Sequence, residues 1–475
     1  MGLKTFIIDF AELQTKDSLR LWVPFILPKS KYKYDKINNF LASCESGSRP
    51  KGGIREEDIG EAISLGGEQI GSDGNLNLAK VPYVSFEYYE NSKKGKIKDN
   101  DILICKDGAL TGKTCLVDFS KFPSKEVMIN EHIFILRGNE NINQTFLFYY
   151  TTTNLFQSQI KDLAYKKKAQ PGLNTDHFKK IKIPLIPKLK QDQFVDQIEP
   201  IERKIKKLQT QIIEPQEIIN NVFAREFKFD LERIEKEEQR KQFFVSSSLA
   251  FRNPNLRSSV RWHKIPSIQQ TMYKNINCIK KLGDYVISTK NGWSPSCSKD
   301  DTLNLVFGVN CISKSGVIQF EDMKVSDQTC SNIESFFVQN NDLFVSRGNT
   351  IDLVALASVV ENLPVEKDII FPDLFIRLNI DETKLNKKYL AYLINSMIGR
   401  YYFKYSAKGK NQTMVKISSD ELLNFYLPVP STKLQEKIVF EIKTDLDKQE
   451  KYKKQVVIER NKISKIINNL LGLIP

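Results

Sequence analysis

The sequence lacks the spacings that mark a disulfide-bonded or zinc-bound protein. Its cysteines, at positions 44, 105, 115, 278, 297, 311 and 330, are odd in number and form no CxxC or CxH pair. Neither a disulfide framework nor a structural zinc site is therefore favoured. Only three histidines are present, and they stand in unrelated local contexts. This residue usage predicts a reducing, cytoplasmic setting.

The sequence also lacks a long apolar run. No stretch of 18 apolar residues exists that would span a bilayer. The apolar run in the opening segment MGLKTFIIDFAEL is too short for a signal peptide. These absences predict a protein that has no membrane partner.

The usual motifs of catalysis are missing as well. There is no GxSxG elbow, no GxGxxG turn for a nucleotide cofactor, and no Asn-Pro-Pro-Tyr or Asp-Pro-Pro-Tyr motif of a DNA methyltransferase. The segment DGALTGKT, residues 107–114, approaches a phosphate-binding loop, but the strand-like segment CLVDF follows it instead of a helix. We interpret it as a turn between two strands. The sequence therefore predicts a chain that is not an enzyme, with no catalytic or metal-binding residues and no cofactor bound directly.

One constellation leaves an enzymatic alternative open. The segment PDLFIRLNIDETK places Asp373, Glu382 and Lys384 in the PD…ExK order with which many nucleases bind Mg²⁺ and hold the attacking water. The counterpart in the first half of the chain, RGNENINQTFLF, has Asn and Gln instead. We expect a polar loop that leads into a helix. The alternative is a self-contained Mg²⁺-dependent nuclease.

What the sequence does contain is a surplus of positive charge in a composition typical of folded proteins. Lys and Arg number 71 against 57 Asp and Glu, for a net charge of +14. A hydrophobic content of 41% with 29 Phe excludes a disordered polycation. At 475 residues, two or more domains are expected. A folded basic protein usually binds a polyanion, most often nucleic acid, although a solubilising charge is an alternative.

The chain repeats itself at about half its length. The segment IPLIPKLKQDQFVDQI, residues 183–198, returns as LPVPSTKLQEKIVFEI, residues 427–442. When the two repeats are aligned, Lys4 matches Lys241, an offset of 241 − 4 = 237. Later in the repeats Gln191 matches Gln435, an offset of 435 − 191 = 244. Small loop insertions explain an offset that grows along the chain. The pattern indicates a tandem duplication.

Each repeat has the same internal order. Short β-rich segments such as DILIC, HIFILR and DLFVS are bounded by Gly, Asn or Asp, and the helical segments FLFYYTTTNLFQSQI and KYLAYLINSMIGRYYF follow at matching places. A strand punctuated by proline then runs into a long helix. The sequence therefore predicts an α+β fold that contains two globular parts separated by long helices.

The long helices have the heptad spacing of a coiled coil. From Phe194 to Ile212 the apolar residues step by four and three, and Pro200 and Pro215 are expected to kink the helix. Neither narrow apolar stripe is able to bury itself alone, so we expect the two helices to pair as an antiparallel coiled coil. A coiled-coil assembly factor without a DNA role is the alternative. The residues expected in this pairing are Ile198, Ile201, Ile205, Leu208, Ile212, Ile442, Leu446, Val456 and Ile463.

Basic and polar loop residues recur at matched places in the two repeats. Lys and Arg neutralise phosphates, and Arg, Asn and Gln read base edges. For any one of these residues a solvated surface charge is the simpler interpretation, but as a recurring set they favour DNA. The candidate DNA-binding residues are Arg49, Lys51, Arg55, Lys93, Lys94, Lys96, Lys106, Lys113, Lys166, Lys167, Lys168, Gln170, Arg347, Asn349, Lys404, Lys408, Lys410, Asn411, Gln412 and Lys416.

The order of these motifs resembles that of the specificity (S) subunits of type I restriction-modification enzymes. The resemblance covers nearly the whole chain. It rests on DILICKDGALTGK and DLFVSRGNTIDLV, on the segment AQPGLN, and on KIPLIP or YLPVP running into a helix that carries Gln191 or Gln435. It implies target recognition domains at residues 1–187 and 238–430, a central conserved helical region at 188–237 and a C-terminal conserved helix at 431–475.

The resemblance also implies partners. Each recognition domain would read one half of a split, asymmetric sequence in double-stranded DNA. Two methyltransferase (M) subunits would bring S-adenosylmethionine, and restriction (R) subunits would bring ATP-driven, Mg²⁺-dependent cleavage. Relatives in which a fused nuclease-methyltransferase takes the place of separate subunits stay open as an alternative.

Overall fold

The computed structural model describes most of the chain, and the chain divides into two compact units. Unit 1 consists of Met1–Leu208 together with Gln455–Pro475, and unit 2 consists of Gln209–Lys454. The described residues are 25–50, 61–71, 74–78, 81–164, 171–240, 242, 260–298, 304–321, 323–364, 367–409 and 414–473.

The described part of unit 1 contains three small β-sheets. Its strands are β1 Tyr34–Lys36, β2 Leu41–Ser46, β3 Ala62–Leu65, β4 Tyr83–Val84, β5 Ile102–Cys105, β6 Thr114–Leu116, β7 Val127–Ile129, β8 Ile133–Gly138 and β9 Lys182–Pro184. A four-stranded antiparallel sheet has the order β2-β8-β5-β6, a three-stranded sheet has the order β4-β3-β7, and β1 pairs with β9. The strand ILIC of β5 is apolar at every position because all four of its residues are buried.

Most helices of unit 1 come after β8 in sequence, and one short helix lies between β4 and β5. Asn143 caps the first long helix by accepting from the backbone nitrogens of Thr145 and Phe146, and Thr153, in an extended conformation, ends it. The segment after β9 forms a helix that contains Pro200. The helices are α1 Phe86–Asn91, α2 Gln144–Thr152, α3 Asn154–Ala164, α4 Thr175–Phe178 and α5 Lys188–Gln209.

Unit 2 repeats the strand arrangement of unit 1. Its strands are β10 Ile279–Lys281, β11 Val286–Asn291, β12 Asn304–Val306, β13 Lys324–Ser326, β14 Leu343–Ser346, β15 Gly348–Asn349, β16 Ala357–Val359, β17 Ile369–Ile370, β18 Phe375–Ile380, β19 Val415–Lys416 and β20 Tyr426–Pro428. The sheet order β11-β18-β14-β16 matches β2-β8-β5-β6, β13-β12-β17 matches β4-β3-β7, and β10-β20 matches β1-β9. Unit 2 has in addition the two-stranded ribbon β15-β19.

The helices of unit 2 that follow β18 correspond to α2–α5 of unit 1, and additional helices lie before β10. They are α6 Pro215–Phe227, α7 Leu231–Gln239, α8 Val260–His263, α9 Ile265–Tyr273, α10 Lys387–Asn395, α11 Met397–Ser406, α12 Ser419–Leu423 and α13 Thr432–Leu471. Helix α13 contributes its first part to unit 2 and its last part to unit 1. Pro215 stands at the first turn of α6, where its missing N–H has no helical partner to lose.

Fine detail confirms the tandem duplication. In each unit one strand pair is parallel, β3 with β7 and β12 with β17, among otherwise antiparallel pairs. The turns before β5 and β14 each place an asparagine in the left-handed region, Asn100 at φ 63° and Asn341 at φ 67°. Asparagine tolerates this conformation better than most residues. A shared topology with matching turns is the result expected from two copies of one ancestral unit.

The four-stranded sheet of each unit also has an equivalent Arg–Asp ion pair. Arg137 on β8 contacts Asp101 through Nε at 2.7 Å and Nη2 at 2.6 Å. In unit 2 Nη1 of Arg377 lies 3.2 Å from Asp342 Oδ2. Buried charges need such partners, because desolvation disfavours an isolated ion. The pair therefore joins the start of one central strand to its neighbour in both units.

Within unit 2, α6 packs antiparallel to the first part of α13. The nitrogen of Ile213 donates to Gln449 Oε1 at 2.9 Å, Arg225 Nη2 lies 2.6 Å from Glu441 Oε2, and Lys437 Nζ lies 3.1 Å from Glu226 Oε1. From Ile213, just before α6, to Glu226 the partner numbers on α13 fall as the residue numbers rise, so the two helices run antiparallel, as predicted for the long helices. These ion pairs are largely exposed and contribute little, so the apolar contacts supply most of the stabilisation.

In unit 1, α5 packs on the last part of α13, and Lys204 Nζ lies 2.7 Å from Glu459 Oε1. Polar Gln449 and Glu459 are buried along α13. Helix α5 ends at Gln209, so Ile212 lies in the connection before α6. Of the residues expected in the pairing, Ile198, Ile205, Leu208, Ile442, Val456 and Ile463 are buried, and Ile201, Ile212 and Leu446 are partly buried.

Candidate nucleic-acid interface

Three loops of unit 1 meet at one edge of the four-stranded sheet. The strand register sets Ser46 at the end of β2 opposite Phe134, and Cys105 at the end of β5 opposite Ile133. The residues that follow β2 and β5 and those that precede β8 must therefore share this edge. We call the set formed by Arg49, Lys106, Asp107, Glu131 and His132 the unit 1 edge.

Charged side chains of the unit 1 edge form a connected chain. Arg49 Nε lies 2.7 Å from Glu131 Oε1. The same oxygen lies 3.4 Å from His132 Nε2, and His132 Nδ1 lies 2.9 Å from Asp107 Oδ1. Both ring nitrogens of His132 thus face carboxylates. A polar network of this kind fixes the orientation of its members.

Lys106 is fixed by its backbone and by an aromatic ring. Its carbonyl accepts from the nitrogen of Leu173 at 2.8 Å, and its Nζ lies 5.5 Å from the centroid of Phe134. Lys113 stands beside the same strand end, since its carbonyl accepts from Cys105 N at 2.8 Å. Both candidate lysines therefore lie at the sheet edge.

The lysine-rich turn after α1 reaches this edge through two glycines. A Cβ on Gly47 would lie 1.8 Å from the carbonyl oxygen of Ile129, and one on Gly95, at φ +84°, would lie 2.8 Å from Gly47 Cα. Only glycine permits so close an approach. The approach brings the turn that contains Lys93, Lys94 and Lys96 next to the end of β2. Lys93 and Lys94 are exposed, and Lys96 Nζ lies 4.5 Å from the centroid of the Tyr89 ring.

Unit 2 builds the equivalent edge from different side chains. Asn291 at the end of β11 lies opposite Ile376, and Ser346 at the end of β14 lies opposite Phe375. We call the set formed by Ser294, Arg347, Asn349, Asp373 and Lys416 the unit 2 edge. Ser294 Oγ donates to Asp373 Oδ1 at 2.5 Å, and Arg347 Nη1 donates to the Asp373 carbonyl at 3.4 Å.

The ribbon β15-β19 brings four candidate residues of unit 2 together. Gly348 lies opposite Lys416 and Asn349 opposite Val415, and the nitrogen of Lys408 donates to the Lys416 carbonyl at 2.8 Å. The Arg347 carbonyl accepts from Ile417 N at 2.9 Å, as the Lys106 carbonyl accepts from Leu173 in unit 1. Arg347, Asn349, Lys408 and Lys416 therefore share one place in the fold.

A carboxylate holds this ribbon against α12. Lys408 Nζ lies 2.6 Å from Glu421 Oε1, and Glu421 Oε2 accepts from the nitrogen of Ser418 at 2.8 Å. Burial raises the pKa of Glu421, but the bonds from Lys408 and Ser418 outweigh it and lower that pKa below its usual value. Glu421 is therefore held as the anion and holds Lys408 in turn.

Lys404 is engaged elsewhere in unit 2. Its Nζ lies 3.2 Å from Glu238 Oε1 on α7, and the Tyr405 hydroxyl donates to the same oxygen at 2.5 Å. Burial raises the pKa of Glu238, yet these partners lower it below its usual value overall. Nine further candidates lie outside the described residues: Lys51, Arg55, Lys166, Lys167, Lys168, Gln170, Lys410, Asn411 and Gln412.

Several polar residues of these edges were not among the sequence candidates. Asp107, Glu131, His132 and Ser294 lie at the edges because of strand register, which local composition does not reveal. The signal that would have found them is the duplication itself. Glu131 and Asp373 each precede the equivalent strands β8 and β18, while Arg49 and Ser294 follow β2 and β11.

The residues of the nuclease alternative do not meet. Asp373 precedes β18, whereas Glu382 and Lys384 follow it, so the six residues of the strand separate them by about 20 Å. Lys384 lies 2.9 Å from Asp381, and Glu382 lies 2.7 Å from Lys387. In the parts of the chain that the structure describes, no group of three His, Cys, Asp or Glu is placed to bind a metal ion. The geometry does not favour the nuclease alternative.

No helix among the described residues combines the length and the apolar character that crossing a bilayer requires.

Part of the chain resembles known proteins in sequence. Residues 55–215 match the family model of the "Type I restriction modification DNA specificity domain". A type I restriction enzyme specificity subunit, EcoEI of Escherichia coli, is 23% identical over 164 residues, which are 34% of this chain and 27% of that protein. The alignment thus spans little more than a quarter of the relative's length. The resemblance found in the sequence is confirmed over this region.

Two solved structures align with nearly the whole chain at low sequence identity. The type I restriction-modification S subunit of M. genitalium is 13% identical, with a TM-score of 0.41 over 95% of this chain and 99% of that one. A chain from structural work on assembly and conformational transition of the type I R-M system is 12% identical, with a TM-score of 0.41 over 94% of this chain and 99% of that one.

Proposed function

We propose, from the premise that residues 55–215 carry a type I restriction modification DNA specificity domain, that this chain is the non-catalytic specificity subunit of such a system. One observation supports this assignment most. Two equivalent sheet edges carry different polar side chains, Arg49 and Glu131 in unit 1 against Ser294 and Asp373 in unit 2. The two units share one fold but carry different side chains at the equivalent edges, as expected of two domains that recognise different DNA sequences.

The chemistry of both edges suits duplex DNA. Lys106 and Lys113 in unit 1, and Lys416 in unit 2, supply positive charge for phosphates, whereas the charge of Lys408 is paired with Glu421. Arginine and asparagine side chains read the edges of guanine and adenine in the major groove. Each unit would therefore read one half of a bipartite target, and the target would be asymmetric because the two edges differ.

The catalytic chemistry of the system would come from partner subunits. We infer two DNA methyltransferase subunits that carry S-adenosylmethionine, and restriction subunits, or a fused nuclease-methyltransferase, that use ATP and Mg²⁺. The chain itself would bind none of these cofactors. Its place of action would be the cytoplasm, where the DNA and these partners are found.

Sequencing of modified bases tests this function. A host that carries the gene together with its methyltransferase subunits should show methylation at one split motif. The same host without this gene should lose methylation at that motif while keeping the other methylated sites. Methylation that persists without the gene would contradict the proposal.

Two other functions give different outcomes in simple assays. A nuclease would cut DNA as the purified chain with Mg²⁺ and lose this activity on Asp373→Ala. A coiled-coil assembly factor would fail to bind duplex DNA at low salt even with its partners present. The proposed function requires DNA binding without cleavage by the chain alone.

A further inference from the structure

Arg49 is an exposed arginine whose direction is fixed. Its side chain is 56% exposed, yet its Nε lies 2.7 Å from Glu131 Oε1. A guanidinium has five N–H donors in a rigid planar fork. Engagement of Nε by Glu131 leaves the four N–H groups of the two Nη nitrogens for another acceptor. An exposed arginine without such a partner would sample many rotamers.

Glu131 is itself held in place by neighbouring residues of the unit 1 edge. Its Oε1 also lies 3.4 Å from His132 Nε2, and His132 Nδ1 lies 2.9 Å from Asp107 Oδ1. Asp107 forms a β-bridge with Gly172, which ties the network to the loop before α4. A carboxylate repels phosphates, so Glu131 weakens this surface for non-specific DNA binding. Its position is better explained by the orientation that it gives to Arg49.

The equivalent positions of unit 2 contain no such arrangement. Ser294 takes the position that follows the first strand of the sheet, and its Oγ donates to Asp373 Oδ1 at 2.5 Å. Arg347 belongs to the loop after β14, at the position that Lys106 holds in unit 1. The held guanidinium after the first strand is therefore a feature of unit 1 among the described residues, and it distinguishes the chemistry of the two edges.

We propose that Arg49 reads one guanine in the half-target of unit 1. Its two Nη groups donate to O6 and N7 of the base in the major groove, and Glu131 and His132 act as positioning residues. This inference rests on the proposed function and deepens it. A phosphate contact needs only charge, which a mobile lysine supplies equally well. A contact that places two separate nitrogens on O6 and N7 of one guanine uses the planar fork in a fixed direction, and a lysine ammonium has no such fork.

The experiment uses the full chain in complex with its methyltransferase subunits. Modified-base sequencing of the wild type first defines both half-targets. Arg49→Lys keeps the charge but removes the planar fork, Arg49→Ala removes both, and Glu131→Gln removes the charged partner of Nε. Arg203→Lys and Arg203→Ala serve as matched controls, because Arg203 is an exposed arginine on α5, 71% exposed, outside both edges. Circular dichroism melting verifies that each variant folds.

A change confined to one position is expected. In Arg49→Lys and Arg49→Ala, discrimination for a G·C pair at one position of one half-target should fall on the order of tenfold to a hundredfold. Glu131→Gln should give a smaller loss at that same position. The second half-target and both Arg203 variants should keep the wild-type pattern.

Other outcomes overturn the inference. If Arg49→Lys keeps the wild-type discrimination at every position of the motif, or if Arg49→Ala weakens modification equally at all sequences, then Arg49 makes no planar-fork contact with a guanine. If Arg49→Ala fails to fold, the folded Arg49→Lys and Glu131→Gln variants decide the question. A wild-type complex with no split motif would instead refute the proposed function, and this inference would fall with it.

Discussion

Gln191 Oε1 accepts a hydrogen bond from the backbone nitrogen of Asn143 at 2.8 Å. Its Nε2 donates to the Ile186 carbonyl at 2.8 Å. Gln435 repeats both contacts in unit 2, with Asn386 N at 2.8 Å and the Pro430 carbonyl at 2.9 Å. Both glutamines are buried. Each joins the start of a long helix to the loop that caps the helix after the central strand, which explains why the duplicated segment keeps this residue.

Replacement of Gln191 by leucine should destabilise unit 1. Leucine has a similar size but leaves the Asn143 N–H and the Ile186 carbonyl without their partner. Each buried unsatisfied group costs about 1–3 kcal/mol, so with two such groups the free energy of unfolding should fall by about 2–6 kcal/mol. Urea denaturation measures the change. Gln197→Leu, at an exposed position of the same helix, is the control and should change the free energy by less than about 0.5 kcal/mol. Equal effects would contradict the role given to Gln191.

Much of the fold follows from local sequence signals. The tandem repeat, the α+β class and the paired helices are all visible, because apolar periodicity and proline punctuation are local properties. Contacts at the strand ends, in contrast, do not follow from local sequence. Arg49 and Glu131 are far apart in the chain, and only the register of β2 with β8 brings them together.

Details of the helix pairing also depend on packing rather than on pattern. The apolar residues Tyr452, Ile466 and Leu470 of α13 are partly exposed in the structure. It buries Ile467 and Leu471 instead. The reason is that α13 packs on α5 in unit 1 and on α6 in unit 2, so a single unbroken heptad does not describe its contacts.

Asp101→Asn should weaken unit 1 through Arg137. Asp101 is almost fully buried and contacts both Nε and Nη2 of Arg137, so its loss leaves a poorly compensated cation. Glu45 stays 2.7 Å from Nη1 and limits the damage. We expect a loss of about 3 kcal/mol in the free energy of unfolding. The matched control is Asp176→Asn, which breaks the exposed pair with Lys179 and should cost about 0.5 kcal/mol or less. Similar losses for both would refute this account.

Glu421→Gln should remove an acid-sensitive contribution to stability. The pKa of Glu421 is lowered in the folded protein, so the ionised carboxylate stabilises the fold above its unfolded pKa. That contribution is lost as pH falls through the lowered pKa. Wild type should therefore be more stable than the variant at pH 7 and should lose this advantage below about pH 4.3. Thermal melting across pH measures the difference, and Glu436→Gln, an exposed neutral control, should show none. A difference that is constant with pH would contradict the role of the carboxylate.

Lys416→Ala should change the salt dependence of DNA binding. An exposed lysine at the unit 2 edge that neutralises one phosphate contributes about 0.9 to the slope of log K against log salt concentration. The slope of the complex should fall by roughly one, with equal weakening across sequences. Lys274→Ala, an exposed lysine at the end of α9, should leave the slope unchanged. Identical slopes for wild type and Lys416→Ala would remove Lys416 from the interface.

Exchange of one recognition domain tests most directly whether each unit reads its own part of the target. Residues 1–187 are replaced by the corresponding segment of a homologous chain with a different target, and the modified bases are sequenced in cells that supply the methyltransferase subunits. The account predicts that one half of the split motif changes to that of the donor while the other half stays as in the wild type. A motif that stays unchanged, or one that changes in both halves, would contradict it.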